Sequence, residues 1–177
     1  MAAECVDYIQ RHGPPALAEP VITTAGLLAQ SVQAIMHVVS PDATDAQFSD
    51  DPIRFTNVLE QTYYACLARA DSRPDCRTIA IPAISLGIYG ADPWTSVHAL
   101  ARAIAKFDQD TALQAGTLTT IKFVALTLTV ADTATAVMNE VVSSLPSSPE
   151  NTTAQTPDTT QGETTEWYAI DRIMKHR

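Results

Sequence analysis

The residues best suited to chemistry lie in one glycine-spaced stretch that follows the apolar run of residues 78–84. Such a run is typical of a strand buried on both faces. Directly after the stretch, Asp92 and Pro93 have the residue types of a helix N-cap and first helical position. Loop amides and the positive end of a helix dipole would then converge on one point. We predict a site for a phosphate-bearing ligand, formed by Ser85, Leu86, Gly87, Ile88, Tyr89 and Gly90. In the alternative interpretation this is an ordinary strand-to-helix connection whose glycines serve only tight turning.

Other polar residues have simpler explanations. His37 lies within an apolar strand pattern, where a hydrogen-bonded structural role is favoured over catalysis. Four carboxylates precede a helix, and we assign them to helix capping and solvation rather than to a metal site; they are Asp42, Asp45, Asp50 and Asp51. The sequence contains no nucleophile elbow, Walker lysine loop, zinc-binding helix motif or dinucleotide fingerprint. We therefore predict neither a metal nor a cofactor, and the catalytic residues stay unknown.

Composition and charge limit the possible classes of protein and of ligand. The chain has 177 residues, 46% of them hydrophobic and 18% charged, which suits a globular domain with a sizeable core. Its net charge of -9 argues against nucleic-acid binding, which requires a basic surface. Three cysteines without metal-ligand spacing indicate reduced thiols. With no signal peptide and no membrane-spanning run, the sequence predicts an intracellular protein, cytoplasmic or nuclear.

Hydrophobic periodicity predicts alternating helices and strands. The helices are expected near residues 2–12, from Pro52 after an Asp51 cap, from Pro93 to about Phe107, and after an Asp132 cap. Strands are expected at residues 21–25, 34–40, 78–84 and 121–128. In the first helix, Val6, Ile9 and Cys5 are expected to face the core. This alternation is typical of an α/β fold with a mostly parallel sheet covered by helices.

The chain changes in composition after residue 142. Residues 143–165 are rich in Ser, Thr and Pro and nearly without apolar residues, so they are predicted to form a disordered linker. Residues 1–142 would form the domain before it. Order is expected again in residues 166–177, which begin Glu-Trp-Tyr-Ala-Ile. A terminal amphipathic helix or strand is the plain interpretation of that segment.

The glycine-spaced stretch and its surroundings resemble the macro domain family. Ile-Pro-Ala-Ile-Ser-Leu-Gly-Ile-Tyr-Gly is similar to the family's Ser-Thr-Gly-Ile or Ser-Ser-Gly-Ile loop, although Leu86 stands where a small or hydroxyl residue is usual. Thr-Thr-Ala-Gly at residues 23–26 and Ile-Met-His-Val-Val-Ser-Pro at 35–41 also resemble family segments, in the same order. The resemblance covers roughly residues 3–142. It implies a three-layer α/β/α fold and ADP-ribose binding, with the diphosphate held by the amides of residues 85–89 and Tyr89 near the ribose.

The resemblance also predicts what would be missing. Family members carry two strands, an Asn-Ala-Ala-Asn-type segment and a first glycine-rich loop before the helix that opens this chain. Without a central strand, two apolar strand edges would need a partner. Residues 166–177 resemble the opening strand of a chromodomain, in which Tyr168 would match a methyl-lysine cage aromatic and chromatin would be a partner. Both ends together predict a truncated piece of a longer protein.

The sequence supports three hypotheses for the function. The first is binding of ADP-ribose or an ADP-ribosylated protein, with affinity weakened by the missing segments. The second is a degenerate interaction module that no longer binds the ligand. The third is ADP-ribosyl hydrolysis, which would require the first loop to be supplied from a longer chain. We rank them in this order.

Overall fold

The computed structural model describes residues 2–111, 116–144 and 168–173. Helices and strands alternate along the chain, as the sequence predicts. The helices are α1 (Ala2–His12), α2 (Ala46–Ser49), α3 (Pro52–Asp71), α4 (Pro93–Thr111) and α5 (Leu128–Ser144). The strands are β1 (Val21–Thr24), β2 (Ala34–His37), β3 (Thr78–Pro82), β4 (Thr120–Ala125) and β5 (Tyr168–Ile173). Two single-turn 3-10 helices lie at Gly26–Leu28 and Gly87–Tyr89.

The strands form two separate sheets. β1 and β2 pair antiparallel, and beyond the end of β2 an isolated bridge joins Leu17 to Val39. The second sheet has the order β3-β4-β5, with β3 parallel and β5 antiparallel to β4. Helix α3 connects β2 to β3, and so it joins one sheet to the other.

One hydrophobic core lies between the second sheet and helices α3, α4 and α5. The three-and-four spacing of α3 predicts one buried face, made of Phe55, Val58, Leu59, Tyr63, Cys66, Leu67 and Ala70; all of these are buried except Val58, which is half-buried. The buried α3 residues are Phe55, Leu59, Thr62, Tyr63, Cys66, Leu67 and Ala70. The sequence of α4 likewise predicts burial of four residues, and all four are enclosed; they are Val97, Leu100, Ala101 and Ile104. β4 alternates strictly, with Ile121, Phe123 and Ala125 facing this core.

Helix α1 lies elsewhere, and the prediction that its apolar residues face the core is wrong. The helix buries none of its residues, and the side chains of Val6 and Ile9 are 54% and 48% exposed. Cys5 is half-buried and approaches His37 on β2. Because Met36 packs against the core, its strand neighbour His37 points to the opposite face, where α1 lies. Helices therefore lie on both sides of the strands.

Strand β3 corrects a second expectation. The sequence favours burial on both faces, but only Ile81 is buried, Ile79 is half-buried, and Thr78, Ala80 and Pro82 are exposed. The physical reason is topological: among the described strands, β3 pairs with β4 alone, so its other edge is open. A run of apolar residues records a preference for burial, and it does not reveal whether a neighbouring strand is present.

Several boundaries differ from those predicted. β2 ends at His37, and α4 continues to Thr111. β4 ends at Ala125, because α5 starts at Leu128 and not after Asp132. Thr127 directly precedes this helix and caps it. Its carbonyl accepts the Ala131 N–H at 3.1 Å, and its hydroxyl lies 3.4 Å from the Val130 nitrogen.

The linker prediction for residues 143–165 falls outside the described residues, except that Ser143 and Ser144 belong to α5. In residues 166–177, the described part is β5, which pairs with β4 from Tyr168 opposite Ala125 to Ile173 opposite Thr120. The chromodomain assignment of this segment stays a prediction. Within the described ranges, none of the helices is both long and apolar enough to cross a membrane.

Candidate functional site

The glycine-spaced stretch, residues 85–90, forms a compact loop between β3 and α4. Three of its residues have left-handed backbone angles: Ser85 has φ 64°, Gly87 has φ 69° and Gly90 has φ 67°. Glycine adopts these angles without strain, whereas a serine there is uncommon. Turns with left-handed residues bring backbone N–H groups together in concavities that bind anions.

Hydrogen bonds hold the loop in place. The Ser85 hydroxyl, 6% exposed as a residue, donates to the Pro41 carbonyl at 2.7 Å. The Ala43 N–H donates to the Tyr89 carbonyl at 2.8 Å, and the Ala91 N–H donates to the Ser85 carbonyl at 3.0 Å. Both ends of the loop are therefore fixed. The Tyr89 carbonyl points toward the segment that follows β2, and the Ser85 carbonyl points toward the end of the loop.

A buried hydroxyl network supports the residue just before the loop. The Ile84 N–H donates to the Tyr63 hydroxyl at 2.6 Å, and the Ser96 hydroxyl donates to the Ile84 carbonyl at 2.7 Å. The Tyr63 and Ser96 hydroxyl oxygens are also 2.7 Å apart. Burial raises the pKa of Tyr63, so the phenol stays protonated. The apolar spacing along α3 predicts that Tyr63 is buried, but no pattern in the sequence indicates the role of its hydroxyl.

The outer side of the loop is open. Ile88 is 90% exposed, and a Cβ added at Gly87 would meet no described atom within 4 Å. Gly87, Ile88 and Tyr89 form a single 3-10 turn, which the Gly90 N–H closes by donating to the Gly87 carbonyl. The N–H groups of this turn have no acceptor earlier in the same turn, which leaves them available to a ligand.

The start of α4 differs from the anion site that the sequence suggests. Asp92 is the predicted cap: its carboxylate accepts the Thr95 N–H at 3.1 Å and also the Thr95 hydroxyl. Burial opposes the charged form, but hydrogen bonds from Thr95 and from the backbone of Trp94 and Asp92 together outweigh it and lower the pKa of Asp92. A carboxylate at the helix end already satisfies the helix dipole. The loop amides, rather than the start of α4, are therefore the groups left open to an anion.

The His37 prediction agrees with the geometry. Its Nε2 atom lies 2.9 Å from the Thr23 hydroxyl and 3.8 Å from the Cys5 Sγ atom. These contacts tie α1 to both strands of the first sheet. His37 is thus hydrogen-bonded within the fold, away from residues 85–90.

The carboxylates before α3 serve turns and helix ends. Asp42 accepts the Thr44 N–H at 2.9 Å and its hydroxyl at 2.6 Å, and these bonds lower the pKa of Asp42. Asp45 caps α2, and Asp51 caps α3 by accepting the Arg54 N–H at 2.9 Å. Over the described ranges, no three His, Cys, Asp or Glu residues are grouped closely enough to hold a metal ion.

Comparison with known sequences yields relatives that match about half of the chain. An O-acetyl-ADP-ribose deacetylase of Salmonella gallinarum is 32% identical over 98 residues, which are 55% of this chain and 50% of the relative. An uncharacterized protein of Sulfolobus acidocaldarius is 34% identical over 87 residues, 49% of this chain and 42% of the relative. The chain spans about half the length of the curated relatives that it matches.

Several solved structures have a fold similar to that of this chain. A mutant of the Oceanobacillus iheyensis macrodomain with ADPR superposes with a TM-score of 0.66 over 80% of this chain and 70% of the other, at 19% identity. The same macrodomain with ADP gives a TM-score of 0.65, with 81% and 70% covered, also at 19% identity. The family model for the Macro domain matches residues 1–100, more than half of the chain. By this match, the chain belongs to the macro domain family.

Proposed function

We propose that this protein binds ADP-ribose, free or attached to a protein, through the loop of residues 85–90. The observation that carries the proposal is the backbone of this loop, in which Ser85, Gly87 and Gly90 are left-handed and hydrogen bonds engage the carbonyls of Ser85, Gly87 and Tyr89. The N–H groups of residues 86–89 would then face the ligand. Such an arrangement suits a diphosphate, because its oxygens accept several amide hydrogen bonds at once. The names of the relatives and the nucleotides in the neighbouring structures support ADP-ribose as the ligand.

The roles within the loop follow from exposure. The amides of residues 86–89 would hold the diphosphate, with Ser85 fixing the loop through Pro41 rather than touching the ligand with its hydroxyl. Tyr89 is half-buried, and we propose that its ring lies against the ribose. The net charge of -9 is compatible with this ligand, because neutral amides need no surrounding positive charge.

Binding is a better proposal than hydrolysis. Hydrolysis requires a group placed to activate water. The carboxylates flanking the loop and its supporting segment, Asp92 and Asp42, are both engaged by threonines of their own turns. A weakened or lost site is the competing proposal. It is favoured by one observation, the open edge of β3 that leads directly into the loop.

Calorimetric titration of ADP-ribose into the protein tests the proposal. We expect saturable binding with a dissociation constant on the order of micromolar to sub-millimolar. The Gly87→Glu variant should lose at least about tenfold in affinity, because its carboxylate would occupy the space above the amides and repel the diphosphate. The wild-type backbone at Gly87 has φ 69° with open space around it, so the substitution introduces strain but no clash.

Gly13→Glu is the matched control. Gly13 has φ 79°, a Cβ added there would likewise meet no described atom within 4 Å, and it lies after α1 rather than in the loop. It therefore reproduces the backbone strain and the added charge at a distant place. Absence of heat and of a thermal shift at millimolar ADP-ribose would favour the degenerate module. Equal weakening by both variants would show that the loop is not where the ligand binds.

A further inference from the structure

Ile84 lies between the end of β3 and the loop of residues 85–90, and both of its backbone polar groups are bonded to side chains. Its N–H donates to the hydroxyl of Tyr63 on α3 at 2.6 Å, and its carbonyl accepts the hydroxyl of Ser96 on α4 at 2.7 Å. The two hydroxyl oxygens are 2.7 Å apart, and both side chains are fully buried. Two helices therefore hold the residue through which the chain enters the loop.

The direction of each hydrogen bond follows from the number of protons. A carbonyl cannot donate, so the single hydroxyl proton of Ser96 lies on the bond to the Ile84 carbonyl. The proton between the two hydroxyls must then come from Tyr63, whose oxygen still accepts the Ile84 N–H. The Pro82 carbonyl, at 3.4 Å, is a weaker acceptor for the phenol.

The three bonds therefore form a closed ring. They run from the Ile84 N–H through the hydroxyls of Tyr63 and Ser96 and back to the Ile84 carbonyl. We call this arrangement the Ile84 ring. Each hydroxyl in it both accepts and donates, and such chains of hydrogen bonds strengthen one another in a buried environment.

The Ile84 ring fixes the peptide group at the entrance to the loop. The Ile84 carbonyl and the Ser85 N–H belong to one planar trans peptide, so they point in opposite directions. Holding this carbonyl on Ser96 therefore sets the direction of the Ser85 N–H. Ser85 has φ 64°, an angle that a residue with a Cβ keeps only where its surroundings impose it. On its other side, the Ser85 carbonyl accepts the Ala91 N–H at 3.0 Å.

We propose that Tyr63 and Ser96 act as one unit that positions the loop of residues 85–90 through Ile84. Neither side chain is exposed, so neither touches a ligand, and both are positioning residues. The loop amides are then arranged before the ligand arrives, and binding does not have to order them. The effect on ligand affinity rests on the function proposed above, whereas the effect on the loop backbone does not.

Residue-resolved hydrogen exchange of the ligand-free protein tests the positioning itself. Tyr63→Phe and Ser96→Ala each remove one hydroxyl of the Ile84 ring. In both variants we expect the Gly90 and Ala91 amides, which close the loop on the Gly87 and Ser85 carbonyls, to exchange at least about tenfold faster relative to the amides of β4. In Ser96→Ala the Ile84 amide keeps its phenol acceptor, but it should also exchange faster because the ring is open.

Thr62→Val is the matched control. Thr62 is fully buried beside Tyr63 on α3, and its hydroxyl donates to the Val58 carbonyl of the same helix at 2.8 Å. The variant removes a buried hydroxyl of the same helix that makes no bond to Ile84. We expect unchanged exchange of the Gly90 and Ala91 amides relative to those of β4.

Calorimetric titration of ADP-ribose into the same variants measures the consequence for the proposed function. Each ring variant should bind at least about fivefold more weakly than the wild type, and Thr62→Val should bind as the wild type does. Because the bonds form one ring, the double variant Tyr63→Phe/Ser96→Ala should lose about as much affinity as the weaker single variant. Independent bonds would instead give the product of the two losses.

Several results would overturn the proposal. They are unchanged exchange of the Gly90 and Ala91 amides in the ring variants, an equal change in Thr62→Val, wild-type affinity in both ring variants, or multiplied losses in the double variant. If Tyr63→Phe does not fold, exchange in Ser96→Ala decides. A wild-type protein that does not bind ADP-ribose contradicts the proposed function instead, and the exchange measurement alone then decides whether the Ile84 ring positions the loop.

Discussion

The protein has two halves that are built very differently. The smaller half consists of residues 2–44, with α1, β1 and β2, and the larger half of the described residues from 45 onward, with α2 to α5 and the β3-β4-β5 sheet. Among the largest fully buried side chains of the described ranges, only Pro41 lies outside the larger half, and α1 contributes no buried residue. Hydrophobic burial contributes most of the free energy of folding. Stability should therefore reside in the larger half, while the smaller half depends on a few specific contacts.

The contacts between the halves coincide with the candidate site. Loop residues of the larger half meet the segment 41–44 through the Ser85–Pro41 and Tyr89–Ala43 hydrogen bonds, and Gly90 lies against Thr44. We call this junction the seam. The loop is therefore in contact with the half that we expect to be less stable. Ligand affinity should depend on how well the smaller half is ordered.

The largest expected effect is the loss of stability when a buried side chain of the larger half is truncated, compared with an exposed one of the smaller half. Leu100→Ala, at a fully buried α4 position, should lower the free energy of unfolding by about 2–5 kcal/mol, because it removes buried apolar area and leaves a cavity. Ile9→Ala is its counterpart in α1, where the side chain is 48% exposed, and should cost less than about 1 kcal/mol. Urea denaturation followed by circular dichroism measures both.

The ratio of the two losses decides whether the comparison holds. A cost for Ile9→Ala equal to that of Leu100→Ala would mean that α1 is buried in solution, against another molecule or another part of the fold. A small cost for Leu100→Ala would contradict the assignment of the core to the larger half.

A second prediction uses pH to probe the larger half alone. Burial raises the pKa of the Cys66 thiol from 9.0 to about 11. Between these values the unfolded chain releases this proton and the folded chain keeps it, so stability falls as pH rises. The contribution is complete below about pH 9 and is lost as the pH passes about 11, for a total of about 2–3 kcal/mol.

Denaturant unfolding at several values between about pH 8 and 10.5 measures this slope. Cys66→Ala provides the reference, since it cannot ionise, and the difference in slope between the two proteins isolates the thiol. Tyr63 is also buried with a raised pKa and is retained in both, so its contribution cancels. Identical slopes would show that Cys66 is exposed to solvent in the folded protein.

How much of the structure is predictable depends on whether a feature is set by adjacent residues or by contacts between distant segments. Local patterns sufficed where the feature is local: the spacing along α3 identifies its buried face, and residues 78–93 are predicted correctly as strand, loop and capped helix. A strand followed by left-handed loop residues is a local arrangement. The resemblance of residues 85–90 to macro domains also depends only on adjacent residues.

The misses concern contacts between distant segments. The open edge of β3 and the exposure of Val6 and Ile9 depend on which strands are present beside them, which periodicity does not encode. Likewise, the role of the Tyr63 hydroxyl depends on Ile84 and Ser96, far along the chain. The start of α5 was missed because the β-branched run of β4 continues into the helix without a break in apolar character.

The smallest expected effect tests the seam. Gly90→Ala combines a left-handed φ of 67° with a Cβ that would lie 3.0 Å from the Thr44 Cγ2 atom. We expect a loss of about 1–2 kcal/mol in the free energy of unfolding, from backbone strain and this contact together. Adding Thr44→Ser removes the methyl group but keeps the hydroxyl that bonds Asp42, so part of the loss should be recovered.

Thermal denaturation of three variants therefore separates the two causes: Gly90→Ala, Thr44→Ser and the double variant. Recovery in the double variant, compared with the sum of the single changes, measures the contact between the halves. Strict additivity would mean that residues 90 and 44 do not touch in solution. In that case the loop would be positioned by the larger half alone, and ligand affinity should be insensitive to changes in α1, β1 and β2.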